Sequence, residues 1–383
     1  MTGDKKRIAI IGASYLQLPL IRKAKSMGLE THAFAWECGD IGEKEADFFH
    51  PISIIEKEQI LEECRRLGIS GICSIASDLA VITVNYVAEK MGLAGNGIDS
   101  SLITTNKYHM KKAFEAGNVP VARCLPVTSD EIPDPSGFTY PIIVKPTDRS
   151  GSRGVTRLDS AADDLQGAVK RAIGQSFEKK ALIEEYIFGD EYSVECISCN
   201  GDHHLLAVTK KYTTGDPNYI EKAHLEPAMT DAGTNEKIRC TVFSALDSIG
   251  VRNGASHSEI KINGDEIKVI EIGARMGGDM IGSDLVKLSS GYDFVKAVID
   301  VCLGDQPELP AEDGEQRCAA IRYLISDDDY EALEQLKEKD PDILLEVNTD
   351  WADDGPVIDS SSRKGYYIMV SGSVERLLPY LPK

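Results

Sequence analysis

Apolar and polar positions along the chain fall into two regimes that meet near residue 120. In the first regime, short apolar runs alternate with segments of helical period. RIAII at 7–11 ends at Gly12, a helical pattern from Pro19 to Met27 closes at Gly28, and ETHAFA follows as a second strand. A helix over 56–67, a strand over 71–75 and a helix over 79–91 continue the alternation. This βαβαβ opening predicts a parallel sheet with crossover helices. A helix over 106–116 then runs to Gly117, with Pro120 beyond.

In the second regime the strands come closer together. The proline-rich DEIPDPSGFTYP leads to PIIVKP, a Gly/Ser loop and VTRL. A helix over 161–173, ALIEEYI, then SVECISC and HHLLAVTKKY follow. Hairpin-like links with few intervening helices predict a mainly antiparallel α+β unit. Residues 213–235 lack periodicity and read as a loop, and a helix over 235–249 leads to a predicted hairpin, GASHSEIKINGDEIKVIEIGARMGGD, at 254–279. From about residue 311, strand–helix–strand elements ending in KGYYIMVSGS predict a small C-terminal α+β subdomain. The fold class is therefore α/β plus α+β.

Charge narrows the range of partners. Against 62 acidic residues stand 42 basic ones, a net charge of −20, which argues against nucleic acid or an anionic membrane as the main partner. No apolar run approaches the ~20 residues of a membrane span. The chain passes from a short charged lead straight into a strand, so a cytoplasmic location is expected. Nine cysteines scattered from Cys38 to Cys318 fit reduced thiols better than a disulfide framework. Cys196 and Cys199, a lone C-x-x-C within a strand, read as packed thiols.

The chemistry concentrates in the hairpin. Glu259 and Glu271 place a carboxylate on each strand, and Arg275 lies just beyond. Hard oxygen ligands of this kind suit Mg²⁺, which reaches phosphates through one or two carboxylates plus waters. A nearby guanidinium suits a developing oxyanion. A two-residue turn at Asn263-Gly264 would pair Ile260 with Ile267 and put the two carboxylates on opposite faces. A shared metal site therefore requires an odd-length loop or a bulge.

Upstream, Ser150, Gly151, Ser152 and Gly154 lie between two strands, where backbone N–H groups can converge on an anion. Lys145, ending the strand before, can add a cation to the same phosphates. The loop is not a Walker P-loop, and a plain hairpin tip is the alternative. In EEYI-x-GDE, the strand end around Glu184, Glu185, Tyr186 and Ile187 can read an adenine, and Glu191 can accept from ribose; an exposed acidic strand end is the other reading. His257 can orient a substrate or serve as a hydrogen-bonded structural histidine. Gly277 and Gly278 either let backbone approach a substrate carboxylate or cap the strand. His203, His204 and His224 have no metal-ligand spacing.

Taken in order, Lys107 on a helix, Lys145 with the Gly/Ser loop, EEYI-x-GDE, then Glu259, Glu271 and Arg275 resemble the ATP-grasp superfamily over about residues 100–290. The branch most similar is the carboxylate–amine (L-amino-acid) ligases. The resemblance implies a pre-ATP-grasp βαβ domain at 1–98, an ATP-grasp domain at 99–310 with its lid at about 122–187, and the C-terminal subdomain at 311–383. It implies that Lys107 and Lys145 contact ATP phosphates, that the 150–154 loop closes over them, that Glu184 and the 185–187 backbone hold adenine, and that Glu191 holds ribose. Glu259 and Glu271 correspond to Mg²⁺ ligands, with Mn²⁺ as a substitute. Where many relatives read Glu-x-Asn-x-Arg, this chain has Gly273, which has no side-chain oxygen to offer a metal.

The expected activity is ATP-dependent amide formation through an acylphosphate. The partners are then a small carboxylate and an amine, in a protein that can form a homodimer. A carboxylase or formyl-transfer enzyme with the same ATP site is the alternative. More distant are a non-catalytic ATP-binding module and an NAD-dependent oxidoreductase using the Gly12 turn, whose fingerprint is broken at Gln17.

Overall fold

The structure, a computed structural model, describes residues 5–128, 132–310, 316–349, 351 and 355–382. Residues 129–131 of the proline-rich lead and 311–315 at the start of the predicted C-terminal subdomain lie outside these.

Sixteen strands form three sheets among the described residues. The first holds β1 (Arg7–Ile11), β2 (Glu30–Phe34), β3 (Phe48–His50) and β4 (Gly71–Cys73), parallel and in the order β3-β2-β1-β4. The second holds β5 (Cys124–Val127), β6 (Ile142–Pro146), β7 (Thr156–Leu158) and β8 (Ala181–Glu185), antiparallel and in the order β5-β8-β6-β7. The third is built from β9 (Asp190–Cys199), β10 (Asp202–Thr213), β11 (Glu221–Glu226), β12 (Gly254–Asn263), β13 (Glu266–Gly273), β14 (Cys318–Tyr323), β15 (Leu344–Asn348) and β16 (Tyr366–Ser371). Its order is β13-β12-β9-β10-β11-β14-β16-β15, antiparallel throughout.

Two regions differ from the sequence pattern. The expected loop at 213–235 contains β11, a central strand of the third sheet. Its apolar alternation is only Ala223 and Leu225, and the positions between and after them, His224 and Glu226, are polar yet buried, so the run is too short and too polar to mark a strand. The helix after it begins at Ala232, where the Asp231 side chain accepts from the Thr234 N–H. The C-terminal strands β14, β15 and β16 extend the third sheet.

Helix Phe294–Cys302 joins the units. It is almost wholly buried, with Phe294, Val298 and Val301 packing among Ile8, Ile10 and Leu20 of the first unit and Ile197 and Ala255 of the third sheet. Burying each such side chain contributes roughly 1.5–3 kcal/mol. The second sheet buries its own face against helix Leu165–Gln175 through Val144, Ile183, Ala168 and Ala172.

The turn after β1 is closed by its own chain. Gly12 has φ +105, and the buried Gln17 side chain folds into the turn. Gln17 Oε1 accepts from the Ser14 N–H at 3.2 Å and from its hydroxyl at 2.8 Å, while Nε2 donates to the Ile75 carbonyl at 2.8 Å. The N–H group that a pyrophosphate would need is engaged, which counts against dinucleotide binding there.

Candidate active site

The hairpin β12–β13 turns at Gly264-Asp265, with Asn263 opposite Glu266, one residue beyond the expected Asn263-Gly264. Ile262 pairs with Ile267 and Ile260 with Val269, not Ile267. Register then shifts: Glu259 lies opposite Glu271, which leaves Ile270 as the extra residue. Because side chains alternate with period two, this one-residue bulge brings both carboxylates to one face.

Each carboxylate meets a lysine. Lys107 opens helix Lys107–Ala116, whose Asn106 cap accepts from the Tyr108 and His109 N–H groups, and the Lys107 N–H donates to the Thr147 carbonyl at 2.7 Å. That double anchoring aims Lys107 Nζ at Glu271, 2.7 Å away. Glu259 receives Lys211, which is buried on β10 and lies 2.6 Å from it, 3.1 Å from Glu191 and 3.7 Å from Glu221. Burial opposes ionisation of Glu259, yet Lys211 and then His257 hold its carboxyl well below the usual range.

A second charged group lies beneath. Lys145 on β6 and Glu184 on β8 are both buried, 2.5 Å apart, and Lys111 approaches the other Glu184 oxygen at 3.4 Å. Against the opposing effect of burial, the two lysines pull the Glu184 carboxyl down to about 2. Its oxygens are thus already faced by two ammonium groups, and Glu184 holds Lys145 rather than standing free toward a base. The Glu185 and Tyr186 N–H groups donate to the Arg123 and Pro141 carbonyls, and the Glu185 carboxylate pairs with Arg123.

Lys107, Lys145, Ser150, Gly151, Ser152, Glu184, Glu185, Tyr186, Ile187, Glu191, Glu259 and Glu271 line one cleft. Lys211, Glu221 and Tyr219 line it as well. The backbone of the loop is left-handed at Gly151, Ser152 and Gly154. Gly154 lies outside this cleft, where a Cβ would stand 3.1 Å from Gln175 and Pro146.

Arg275 and His257 line the adjoining cavity together with Lys107, Glu259 and Glu271. Arg275 is paired with Asp78, at the start of a first-unit helix, through Nε at 2.9 Å and Nη2 at 3.2 Å. That contact explains Gly273: a Cβ there would lie 2.9 Å from Arg275 Cζ and 3.0 Å from Asp78 Oδ1. His257 Nδ1 contacts the buried Glu195, and Nε2 lies 3.6 Å from Glu259. Burial opposes protonation, but Glu195 and Glu259 push this imidazole up to about 9, so it carries charge at neutral pH.

Gly277 and Gly278 line none of these cavities. The Gly277 N–H donates to Glu195 at 3.0 Å, and a Cβ on Gly277 would sit 2.7 Å from His257 Nδ1, so close packing on that pair accounts for this glycine.

Lys211, Glu195 and Asp78 had no sequence signal. Lys211 is one of two adjacent lysines on a strand, Glu195 is a lone acid inside SVECISC, and Asp78 lies far from the hairpin. Among the described residues no group of three or more His, Cys, Asp or Glu side chains could hold a metal. Two facing carboxylates beside lysines nevertheless fit Mg²⁺, which commonly completes its octahedron with phosphate oxygens and water. No described helix is long and apolar enough to cross a membrane.

Residues 138–284 match the family model of the ATP-grasp domain. Alanine–anticapsin ligase of Bacillus subtilis is 28% identical over 305 residues, which cover 69% of this chain. The chain spans 63% of that relative's length. L-amino acid ligase from Bacillus licheniformis superposes with a TM-score of 0.80 at 21% identity, covering 99% of this chain and 96% of that one. N5-carboxyaminoimidazole synthetase from Staphylococcus aureus, solved with ADP, gives 0.75 at 17% identity over 98% of this chain and 97% of that one.

Proposed function

We propose that the chain, whose residues 138–284 match the ATP-grasp domain, is an ATP-dependent carboxylate–amine ligase acting on amino-acid substrates. What carries this reading is the convergence of Glu259, Glu271, Lys107 and Lys145 on one cleft, with Arg275 in the cavity that adjoins it. The named amino-acid ligases among its relatives support the choice of acceptor chemistry.

ATP lies with its phosphates toward Lys107, Lys145 and the 150–154 loop, and its base toward 185–187. Mg²⁺ on Glu259 and Glu271 would neutralise phosphate charge during transfer. Lys145 keeps its charge because Glu184 and Glu271 outweigh the opposing effect of burial. A substrate carboxylate oxygen attacks the γ-phosphorus and ADP leaves. An amine nitrogen then attacks the acylphosphate carbon, loses a proton and expels phosphate, leaving an amide. Arg275, always charged and held by Asp78, faces the oxyanion that forms at that carbon. Closure of the 150–154 loop excludes water from the acylphosphate.

ADP release measured with ATP, Mg²⁺ and amino acids, singly and in pairs, tests the reading. Stimulation by pairs is expected. Stimulation by bicarbonate or formate instead would favour the carboxylase or formyl-transfer alternative and overturn the ligase assignment.

A further inference from the structure

The cavity beyond the two carboxylates has a volume of about 790 Å³, large enough for a small-molecule substrate. Arg275, His257 and Lys107, the groups of the reaction proposed above, line it. The first unit adds apolar side chains from four separate segments, beside the polar Ser53 and Asp78: Trp36 after β2, Ile55 after β3, Leu79 and Ile82 on helix Asp78–Met91, and Leu102 on helix Ile98–Thr104.

These side chains are not packed into a core. Trp36 is 71% exposed, Ile55 61%, Leu102 61% and Leu79 37%. Single exposed apolar residues are ordinary, but four from distant segments sharing the wall of one cavity form a binding feature. Arg149 and Arg153 from the Gly/Ser loop also line the cavity, together with Asp148 and Glu178. Arg149 lies 4.4 Å from the Phe177 ring, and its buried Nε lacks a hydrogen-bond partner among the described residues.

Resting on the ligase reading, we infer that this cavity selects an α-amino acid with a bulky apolar side chain. The side chain lies against Trp36, Ile55, Leu79 and Leu102. The amino acid's carboxylate reaches Arg149, Arg153 or Arg275, all three positively charged. A small or acidic side chain would leave these apolar groups exposed to water. Each methylene in such a pocket is worth roughly 10–200-fold in kcat/KM.

The experiment compares ADP release with leucine, methionine or phenylalanine against glycine, serine and aspartate, each offered with a common co-substrate panel, for the wild type and for Leu102→Asp and Trp36→Ala. The expected result is at least about 100-fold higher kcat/KM for the apolar set. Each variant is expected to cut that preference about tenfold or more at an unchanged melting temperature, since both side chains are exposed. Amino-acid-dependent turnover with no apolar preference, or with a preference that both variants retain, would overturn this inference and leave the ligase reading standing. Turnover with bicarbonate and with no amino acid would overturn both.

Discussion

Glu259 and Glu271 face each other across adjacent antiparallel strands because Ile270 is an extra residue in β13. Without that bulge Glu271 would stand opposite Ser258 and turn to the other side of the sheet. Glu259→Gln and Glu271→Gln are each expected to lower the rate of ADP formation by ~10²–10³, the scale for loss of one charge-stabilising group. Deleting Ile270 removes the bulge together with its extra residue and leaves Glu271 opposite Glu259, so ADP formation is expected to stay within a few-fold of wild type. A loss as large as that of Glu271→Gln would show that the bulge does more than bring the two carboxylates to one face.

Glu184 carries the charge balance beneath the phosphate site. Glu184→Gln leaves Lys145 and Lys111 buried without their carboxylate, and urea unfolding is expected to show a loss of ~3–5 kcal/mol. Adding Lys111→Met removes one stranded cation and is expected to restore part of that loss. If Glu184→Gln alone is neutral, the three groups are not coupled as their distances indicate.

Arg275 is expected to act after phosphoryl transfer. Arg275→Ala should lower kcat for amide formation by ~10²–10³ and leave the KM for ATP within a few-fold. Gly273→Asn supplies a side-chain oxygen but collides with the Arg275–Asp78 pair. It is therefore expected to lower kcat; a gain would show that the glycine is a defect rather than an accommodation.

Glu226 gives a pH signature of its own. It is fully buried, held by the Thr209 and Ser289 hydroxyls at 2.7 Å each, and burial pushes its carboxyl up to about 8. A folded-state pKa above the unfolded value stabilises the fold at low pH, and that contribution is lost as pH rises from about 4.5 to about 8. The slope is ~1.4 kcal/mol per pH unit. Glu226→Gln keeps the hydrogen bonds without a titrating proton. Thermal or urea unfolding at pH 5 and pH 8 should show the variant gaining on the wild type at the higher pH; parallel pH profiles would contradict this.

The legible part of the site was the part carried by local order. Lys145 beside a Gly/Ser loop, EEYI-x-GDE and the two hairpin glutamates are short motifs, and the required bulge followed from period-two geometry alone. Lys211, Glu195 and Asp78 were not legible, because each gains meaning only from a partner on another strand or helix. The strand β11 was hidden for a related reason. Two of its four buried positions, His224 and Glu226, are polar, and only Ala223 and Leu225 carry the apolar signal, too short a run for hydrophobic periodicity to mark. Gly277 misled in the opposite direction: a glycine that suggested room for a substrate makes room for His257 and Glu195.

Trapping the activated acid tests the central claim most directly. The protein is incubated with ATP, Mg²⁺ and an amino acid carrying a bulky apolar side chain, with hydroxylamine in large excess over the amino acid's own amine, and the hydroxamate is measured. Hydroxamate formed in step with ADP, and reduced by ~10²–10³ in Glu271→Gln, is the predicted result. ADP formed without hydroxamate for every amino acid tested would contradict an acylphosphate on this path.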